Sequence, residues 1–237
     1  MATIETRPNS TSITGAAFGD EGKGKVTCDQ VIRFAQESEE VIVYGPNGGA
    51  NAGHTIELPD GRRIFLHQLT SGVLTENATL VLGKGKVLHP GDLIEEVRQV
   101  EAISGEPIKA DIWIDEKALL SLDTHRAYED TLKRSTGAGK GAACRGIAPA
   151  YADYYLRQAL QVRDLVNFDV EKLTSHYQHY AELFHALMGT GLSRFEVATL
   201  KKERKVPVGS LDEFLSRLSK ERDFLLPFSR NVVELMR

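Results

Sequence analysis

Cysteine is nearly absent: Cys28 and Cys144 are the only two in the chain, with neither a CxxC pair nor a Cys/His ligand spacing. That argues against a disulfide framework and a structural zinc site, and leaves two free thiols as the expectation. An excess of one sign of charge is also missing. Lys and Arg number 29 against 33 Asp and Glu, a formal charge of -4. Nothing general therefore draws the chain to nucleic acid or an anionic membrane, and phosphate recognition must be local. No apolar run is long enough to cross a bilayer. Met1 to Ser12 is polar, contains Pro8 and lacks the apolar centre of a signal peptide. Residues 1–12 are thus expected to be a disordered lead-in to a cytoplasmic protein. Internal repeats and low-complexity tracts are lacking. What is present is ordinary globular material: 41% hydrophobic and 26% charged residues over 237 positions, enough to bury a sizeable core.

The pattern along the chain alternates strand and helix. Ser12-Ile-Thr-Gly-Ala-Ala-Phe18 reads as a short buried strand, followed by a glycine turn and a helix carrying Val26, Val31 and Phe34. Val41 to Tyr44 is a second strand, opening into Gly45-Pro-Asn-Gly-Gly-Ala-Asn-Ala-Gly-His54, a stretch too glycine-rich to be expected as regular structure. His54 to Leu58 and Arg63 to His67 flank Asp60-Gly61, the signature of a tight hairpin. Thr79 to Gly83 and Ala110 to Ile114 are further strands. Between them Pro90 starts a helix with Leu93, Ile94, Val97 and Val100 on one face. Another helix is expected near Glu116 to Lys133, then a second glycine-rich stretch, Ser135 to Gly141. Beyond Leu165 the apolar residues Leu173, Tyr177, Tyr180, Phe184 and Leu187 recur at helical spacing and no strand signal follows. Ser210 with Glu213 is a capping box for a last helix, which Pro227 should break or kink. The expected fold is α/β, with a largely parallel central sheet, a P-loop-like glycine loop and a mainly helical C-terminal third. Its parts are a nucleotide-binding core over 13–165 and a helical region of the same domain over 166–237.

The first loop, Gly19-Asp-Glu-Gly-Lys-Gly-Lys25, nearly meets the Walker pattern, but Val26 stands where Ser or Thr would hold magnesium. With no convincing Walker B strand either, a general P-loop NTPase is disfavoured. What remains is a turn whose free N–H groups and following helix N-terminus favour phosphate. Lys23 and Lys25 add positive charge, and Asp20 and Glu21 add carboxylates. The second loop, Asn51-Ala-Gly-His-Thr55, sets an amide, an imidazole and a hydroxyl beside flexible backbone. Both loops follow strands, and parallel strands gather their C-terminal ends on the edge where α/β folds bind ligands.

These two strings, GDEGKGK at 19–25 and NAGHT at 51–55, resemble the adenylosuccinate synthetase family. So do Leu66 to Leu74, Val81-Leu-Gly83 and Arg145-Gly-Ile-Ala-Pro-Ala-Tyr151. The resemblance implies a ligase that uses GTP to join IMP and L-aspartate into adenylosuccinate through a 6-phosphoryl-IMP intermediate. It implies Asp20 as the base at N1 of the purine, His54 as donor to the transferring phosphoryl group, and Lys23 as a charge partner to it. GTP and its phosphates would lie along Gly19, Glu21, Gly22, Lys23, Gly24, Lys25, Gly53, His54 and Thr55. Mg2+ would be held by Asp20 and the Gly53 carbonyl. IMP would contact Asp20, Asn51, Thr136 and Arg157, the last reaching across a homodimer.

Departures accompany the matches. Phe18 stands where the family usually has Trp, and Ala50 where the second loop often has His. Carrying over both Thr136 and Arg157 requires a gap in 137–148, where Ala142 to Ala148 reads as an insertion or duplication. The family's EGAQG segment, its arginine-rich aspartate loop and its guanine-specifying strand have no counterpart here. The resemblance therefore implies the N-terminal part of a synthetase, with a shortened, catalytically incomplete purine-nucleotide-binding relative as the alternative.

Overall fold

The structure is a computed structural model that describes residues 10–16, 21–58, 60–137, 143–201 and 204–235. A four-strand path of parallel strands forms its centre, ordered β1 (Val41–Gly49), β4 (Ala78–Leu88), β5 (Asp111–Asp115) and β9 (Ser229–Arg230). The short β6 (Leu119–Leu120) also pairs with the end of β4. β4 is the central strand, and its run Ala-Thr-Leu-Val-Leu-Gly is buried throughout. A parallel strand covered on both faces reads this way, as a continuous apolar stretch. β1 is an edge strand, and its first four residues alternate buried and exposed.

Helices cover the sheet: α1 (Lys23–Glu37), α2 (Pro90–Ser104), α3 (Asp123–Thr136), α4 (Ile147–Tyr155), α5 (Val162–Val166), α6 (Val170–Met188), α7 (Leu211–Leu225) and α8 (Val232–Leu235). Their ends follow local chemistry. The His89 side chain caps α2 by accepting the Asp92 N–H, with Pro90 at the first helical position. Ser210 and Glu213 form the expected reciprocal box at α7. Gly189, at φ 68°, closes α6. One hydrophobic cluster joins Leu80, Leu82 and Ile114 of the sheet to Leu173, Tyr177 and Tyr180 of α6 and Phe214 and Leu218 of α7, so the C-terminal helices share the sheet's core. The hairpin is present as β2 (His54–Glu57) against β3 (Arg63–Leu66). Among the described residues no helix is long and apolar enough to cross a membrane.

Several elements differ from the sequence expectation. Ser10 to Ala16 form no strand, and nearly all are exposed; Ile13 is the one large apolar side chain there, too little to bury a strand. The rest of that expected strand, Ala17 and Phe18, and the lead-in over 1–9 lie outside the described residues. β1 does not end at Tyr44 but runs on to Gly49. Gly45 faces Leu82 and Asn47 faces Gly85, so Pro46 alone stands opposite Gly83 and Lys84. A bulge tolerates a proline, which has no N–H for the ladder. The glycines permit the close approach: an added Cβ would lie 2.6 Å from the Tyr44 hydroxyl at Gly83 and 2.4 Å from the Pro46 carbonyl at Gly85. The helix expected from Glu116 starts only at Asp123, because Asp115 closes a turn by accepting the Lys117 N–H at 2.8 Å and Leu119–Leu120 then join the sheet. Strands also exist beyond Leu165: β7 (Glu196–Ala198) pairs with β8 (Lys205–Pro207), and β9 lies beside β5. Each is two or three residues long, too short to show an alternation.

One buried group on α7 makes stability depend on pH. Burial pushes the Glu221 carboxyl up to about 8, with Asp123 adding to the rise and Arg217 and Arg126 opposing it. Its folded pKa is raised, so as pH climbs from about 4.5 to about 8 the unfolded chain releases a proton that the native state keeps, and stability falls. Each unit of separation is worth about 1.4 kcal/mol. Glu221→Gln keeps the shape of the protonated acid without the titration. It is expected to raise Tm by at least about 5 °C at pH 8.5 and to leave it unchanged at pH 4. An equal shift at both pH values in thermal melts would refute the assignment.

Candidate phosphate site at the sheet edge

Helix α1 starts from Gly22 in the left-handed region (φ 74°), a conformation that suits glycine, and the Gly22 carbonyl accepts the Val26 N–H at 3.1 Å. Gly22, Lys23, Gly24 and Lys25 thus form the first turn of a helix, where N–H groups lack intrahelical partners. Lys23 forms an ion pair with Glu21, and Lys25 is exposed. Gly19 and Asp20 lie outside the described residues.

The second loop leaves the end of β1, where the strand packs on α4. A Cβ on Gly49 would sit 2.5 Å from Ile147 Cδ1 of α4 and 2.8 Å from the Val87 carbonyl, so this backbone is pressed against α4. Asn51, Gly53 and Thr55 are exposed, and an added Cβ at Gly53 would meet nothing within 4 Å. His54, the first residue of β2, is half-buried. Its Nε2–H donates to the Leu69 carbonyl at 2.8 Å. Burial lowers its pKa, nearby Lys86 and His67 lower it further, and the Leu69 bond opposes them. The ring's Nε2 proton is held by Leu69, and a backbone hydrogen bond to Gly53 also opposes the lowering.

The two loops touch. A Cβ on Gly24 would lie 2.3 Å from His54 Cβ and 3.4 Å from His54 Cα, so the helix start and the hairpin start are in van der Waals contact through a glycine. The segment His67 to Ser71 binds both from below. Ser71 Oγ donates to the Gly24 carbonyl at 3.0 Å, Leu69 accepts from His54, and His67 Nδ1–H donates to the Ala52 carbonyl at 2.8 Å.

Thr136 is the last residue of α3 and its side chain lies outside the described residues. Arg157 is exposed in the turn after α4, at φ 64°. Arg145, in the stretch that resembles the family, is buried. It donates to the Thr199 carbonyl at 2.7 Å and lies 3.5 Å from Asp92, which also pairs with Arg126 at 2.5 Å. Sequence reasoning missed the buried Asp92, Glu96 and Lys86. A signal existed for the first two, since 92, 93, 96 and 100 fall on the apolar face of α2, where an acid must find a partner.

One buried cluster has the composition of a metal site: His125 Nε2, Asp153 Oδ2 and a ring nitrogen of His176 lie within 4.8 Å of one another. Its protons argue otherwise. His125 Nδ1 accepts the Leu122 N–H at 2.9 Å, which puts the ring proton on Nε2, where it donates to Asp153 at 3.1 Å. A protonated nitrogen has no lone pair for a cation. The cluster is a hydrogen-bonded brace between α3, α4 and α6.

A parallel sheet with two glycine loops meeting at the C-terminal edge of β1 defines an α/β protein, a class whose ligands commonly bind at that edge. A family model described as adenylosuccinate synthetase matches residues 12–225. An adenylosuccinate synthetase of Chlorobium phaeovibrioides is 36% identical over 179 residues, covering 74% of this chain and 39% of the relative. The fully ligated adenylosuccinate synthetase of Plasmodium falciparum superposes with a TM-score of 0.67 at 27% identity, covering 94% of this chain and 46% of that one. A succinoaminodeoxyadenylate synthetase of cyanophage S-2L, bound to dGMP and dATP, gives a TM-score of 0.48 at 24% identity. The chain belongs to the adenylosuccinate synthetase family. It spans less than half the length of the relatives it matches.

Proposed function

We propose that this chain supplies the phosphoryl-transfer half of a GTP-dependent ligase that joins IMP and L-aspartate to give adenylosuccinate. The observation that carries this reading is the contact of the two loops at Gly24 and His54, which sets a helix N-terminus and an imidazole side by side at the ligand edge of the sheet. A γ-phosphoryl group lying there meets backbone N–H donors from Gly22 to Lys25, the Lys23 ammonium and the His54 ring.

In this mechanism Asp20 removes the N1 proton of the hypoxanthine ring. Oxygen 6 then attacks the γ-phosphorus while the bond to the GDP oxygen breaks. Charge on the transferring group is offset by Lys23, which leaves Glu21, and by His54, which turns its Nε2–H from the Leu69 carbonyl to a phosphate oxygen. The aspartate amine then attacks carbon 6 and phosphate departs. Mg2+ would be held by Asp20 and the carbonyl of the exposed Gly53, and would neutralise phosphate charge when bound. Asn51 and Thr136 would hold IMP. Arg157, exposed beside the exposed Tyr155 and Leu156, would reach the IMP phosphate of a second copy in a cytoplasmic homodimer.

The test is release of phosphate from GTP that depends on both IMP and L-aspartate, together with the appearance of adenylosuccinate. Asp20→Asn and His54→Asn are each expected to lower turnover by about 10²–10⁴. Unchanged turnover in Asp20→Asn would remove the base. IMP binding by calorimetry with no phosphate release under any condition would remove the ligase reading and leave purine-nucleotide binding alone.

A further inference from the structure

Beneath the two loops lie a buried carboxylate and a buried ammonium that the proposed chemistry does not use. Glu96 of α2 is 1% exposed. Its oxygens accept the backbone N–H groups of His67 at 2.7 Å, Gln68 at 2.9 Å and Leu69 at 3.2 Å. Lys86 of β4 is 4% exposed and donates to the Gln68 carbonyl at 3.1 Å. The Gln68 side chain completes the clamp, accepting from the His89 N–H at 2.7 Å and donating to the His89 carbonyl at 3.1 Å. Four backbone polar groups of residues 67–69 are thus held by α2 and β4.

The segment's remaining polar groups reach the loops. Leu69 holds His54, His67 holds Ala52, and Ser71 holds Gly24. Two of these anchors lie on the clamped residues 67 and 69, and the third, Ser71, lies two residues further on. Burial pushes the Glu96 carboxyl up to about 7 and the Lys86 ammonium down to about 8, a desolvation cost that two apolar side chains would avoid. Specification of one backbone position is what such a pair accomplishes.

We infer that Glu96 and Lys86 are positioning residues that, by clamping His67 to Leu69, hold the Gly22–Lys25 turn and the Asn51–Thr55 loop in register with each other. The link to catalysis rests on the proposed function; the mechanical coupling does not.

Hydrogen exchange by mass spectrometry on the whole chain, paired with calorimetric titration of GTP and of IMP, tests it. Glu96→Gln keeps the volume but turns an amide N–H₂ toward backbone N–H donors. It is expected to speed exchange about tenfold or more in peptides covering 22–27 and 51–56, with little change in α6. Lys86→Met, which leaves the Gln68 carbonyl without its donor, should act in the same direction, and it decides the matter if Glu96→Gln does not fold. The double variant leaves neither charge unpaired and is expected to recover part of the protection. Acceleration confined to 67–69, or spread equally into α6, overturns the inference. If the native chain binds neither GTP nor IMP, the proposed function fails, while the exchange pattern still decides the coupling.

Discussion

Gly24→Ala is expected to abolish nucleotide-dependent activity and to weaken GTP binding while leaving helical content intact. The added methyl would come 2.3 Å from His54 Cβ, a separation that real Cβ atoms do not show. The neighbour is no flexible tip. His54 Cβ is fixed to a backbone paired with Leu66 across the hairpin, and Gly24 is tied through its carbonyl to Ser71. Relief therefore requires the helix start or the hairpin to move by something like an ångström. In a packed interior such insertions cost about 1–3 kcal/mol. Misplacement of a catalytic constellation by about 1 Å costs on the order of 10²-fold in rate. The larger effect is thus on function. Gly191→Ala is the matched control, since its φ of −77° suits any residue and nothing lies within 4 Å of the new atom. It should be neutral in both melting and turnover. Turnover of Gly24→Ala within a factor of two of the native protein would show that loop contact is not required.

The largest loss of stability is expected from Asp92→Ala. Asp92 is 2% exposed and Arg126 is 1% exposed. The Arg126 guanidinium reaches the carboxylate with two nitrogens, at 2.5 and 3.2 Å, and Arg145 adds a third contact at 3.5 Å. Arg126 and Arg145 also hold the backbone carbonyls of Ala198 and of Thr199 and Leu200, so one carboxylate organises α2, α3 and the β7 region. Removing it leaves two buried cations without the carboxylate that bridges them, at a cost of about 3–5 kcal/mol. That corresponds to a fall in Tm of roughly 10 °C for a chain of this size. Burial raises the Asp92 pKa, but His89 and Arg126 outweigh it and hold the group below its usual range. Its contribution is therefore present above the ordinary aspartate pKa and is lost as pH falls through the lower folded value, so the native protein should lose more stability in acid than the variant does. Asp130→Ala provides the contrast. Its pairing with Arg134 involves an arginine whose side chain is 59% exposed, and surface pairs of this kind contribute about 0–1 kcal/mol. Equal denaturant midpoints for the two variants would overturn the ranking.

Much of the molecule was legible without coordinates. The hairpin at Asp60-Gly61, the Pro90 start of α2 and the Ser210–Glu213 box are local devices, each written within four residues. The apolar face of α6 follows from helical spacing alone, and Leu173, Tyr177, Tyr180 and Phe184 are buried as it requires, while Leu187, near the helix end, is exposed. The expected glycine loop begins a helix, and both family strings are short contiguous runs. Contact between the loops was not legible. Nothing in Gly24 or His54 says that a helix and a hairpin thirty residues apart will meet at a missing Cβ.

The same division applies to charge. Lys84 and Lys86 stand two apart in a Gly-Lys-Gly-Lys run and look alike as sequence, yet Lys84 is exposed and Lys86 is buried against Gln68. The strand bulge at Pro46, not residue type, sets how the strands align there. Glu96 and Asp92 betrayed themselves only as acids on an apolar face, and their partners stand at 67–69, 126 and 145. Sequence by itself determined the family, the local starts and stops of the elements and the residue types available at the phosphate edge, because those depend on neighbours along the chain. Tertiary structure alone decided which loops touch, which charges are buried and what pairs them, because those depend on packing distances between segments that the covalent chain leaves free.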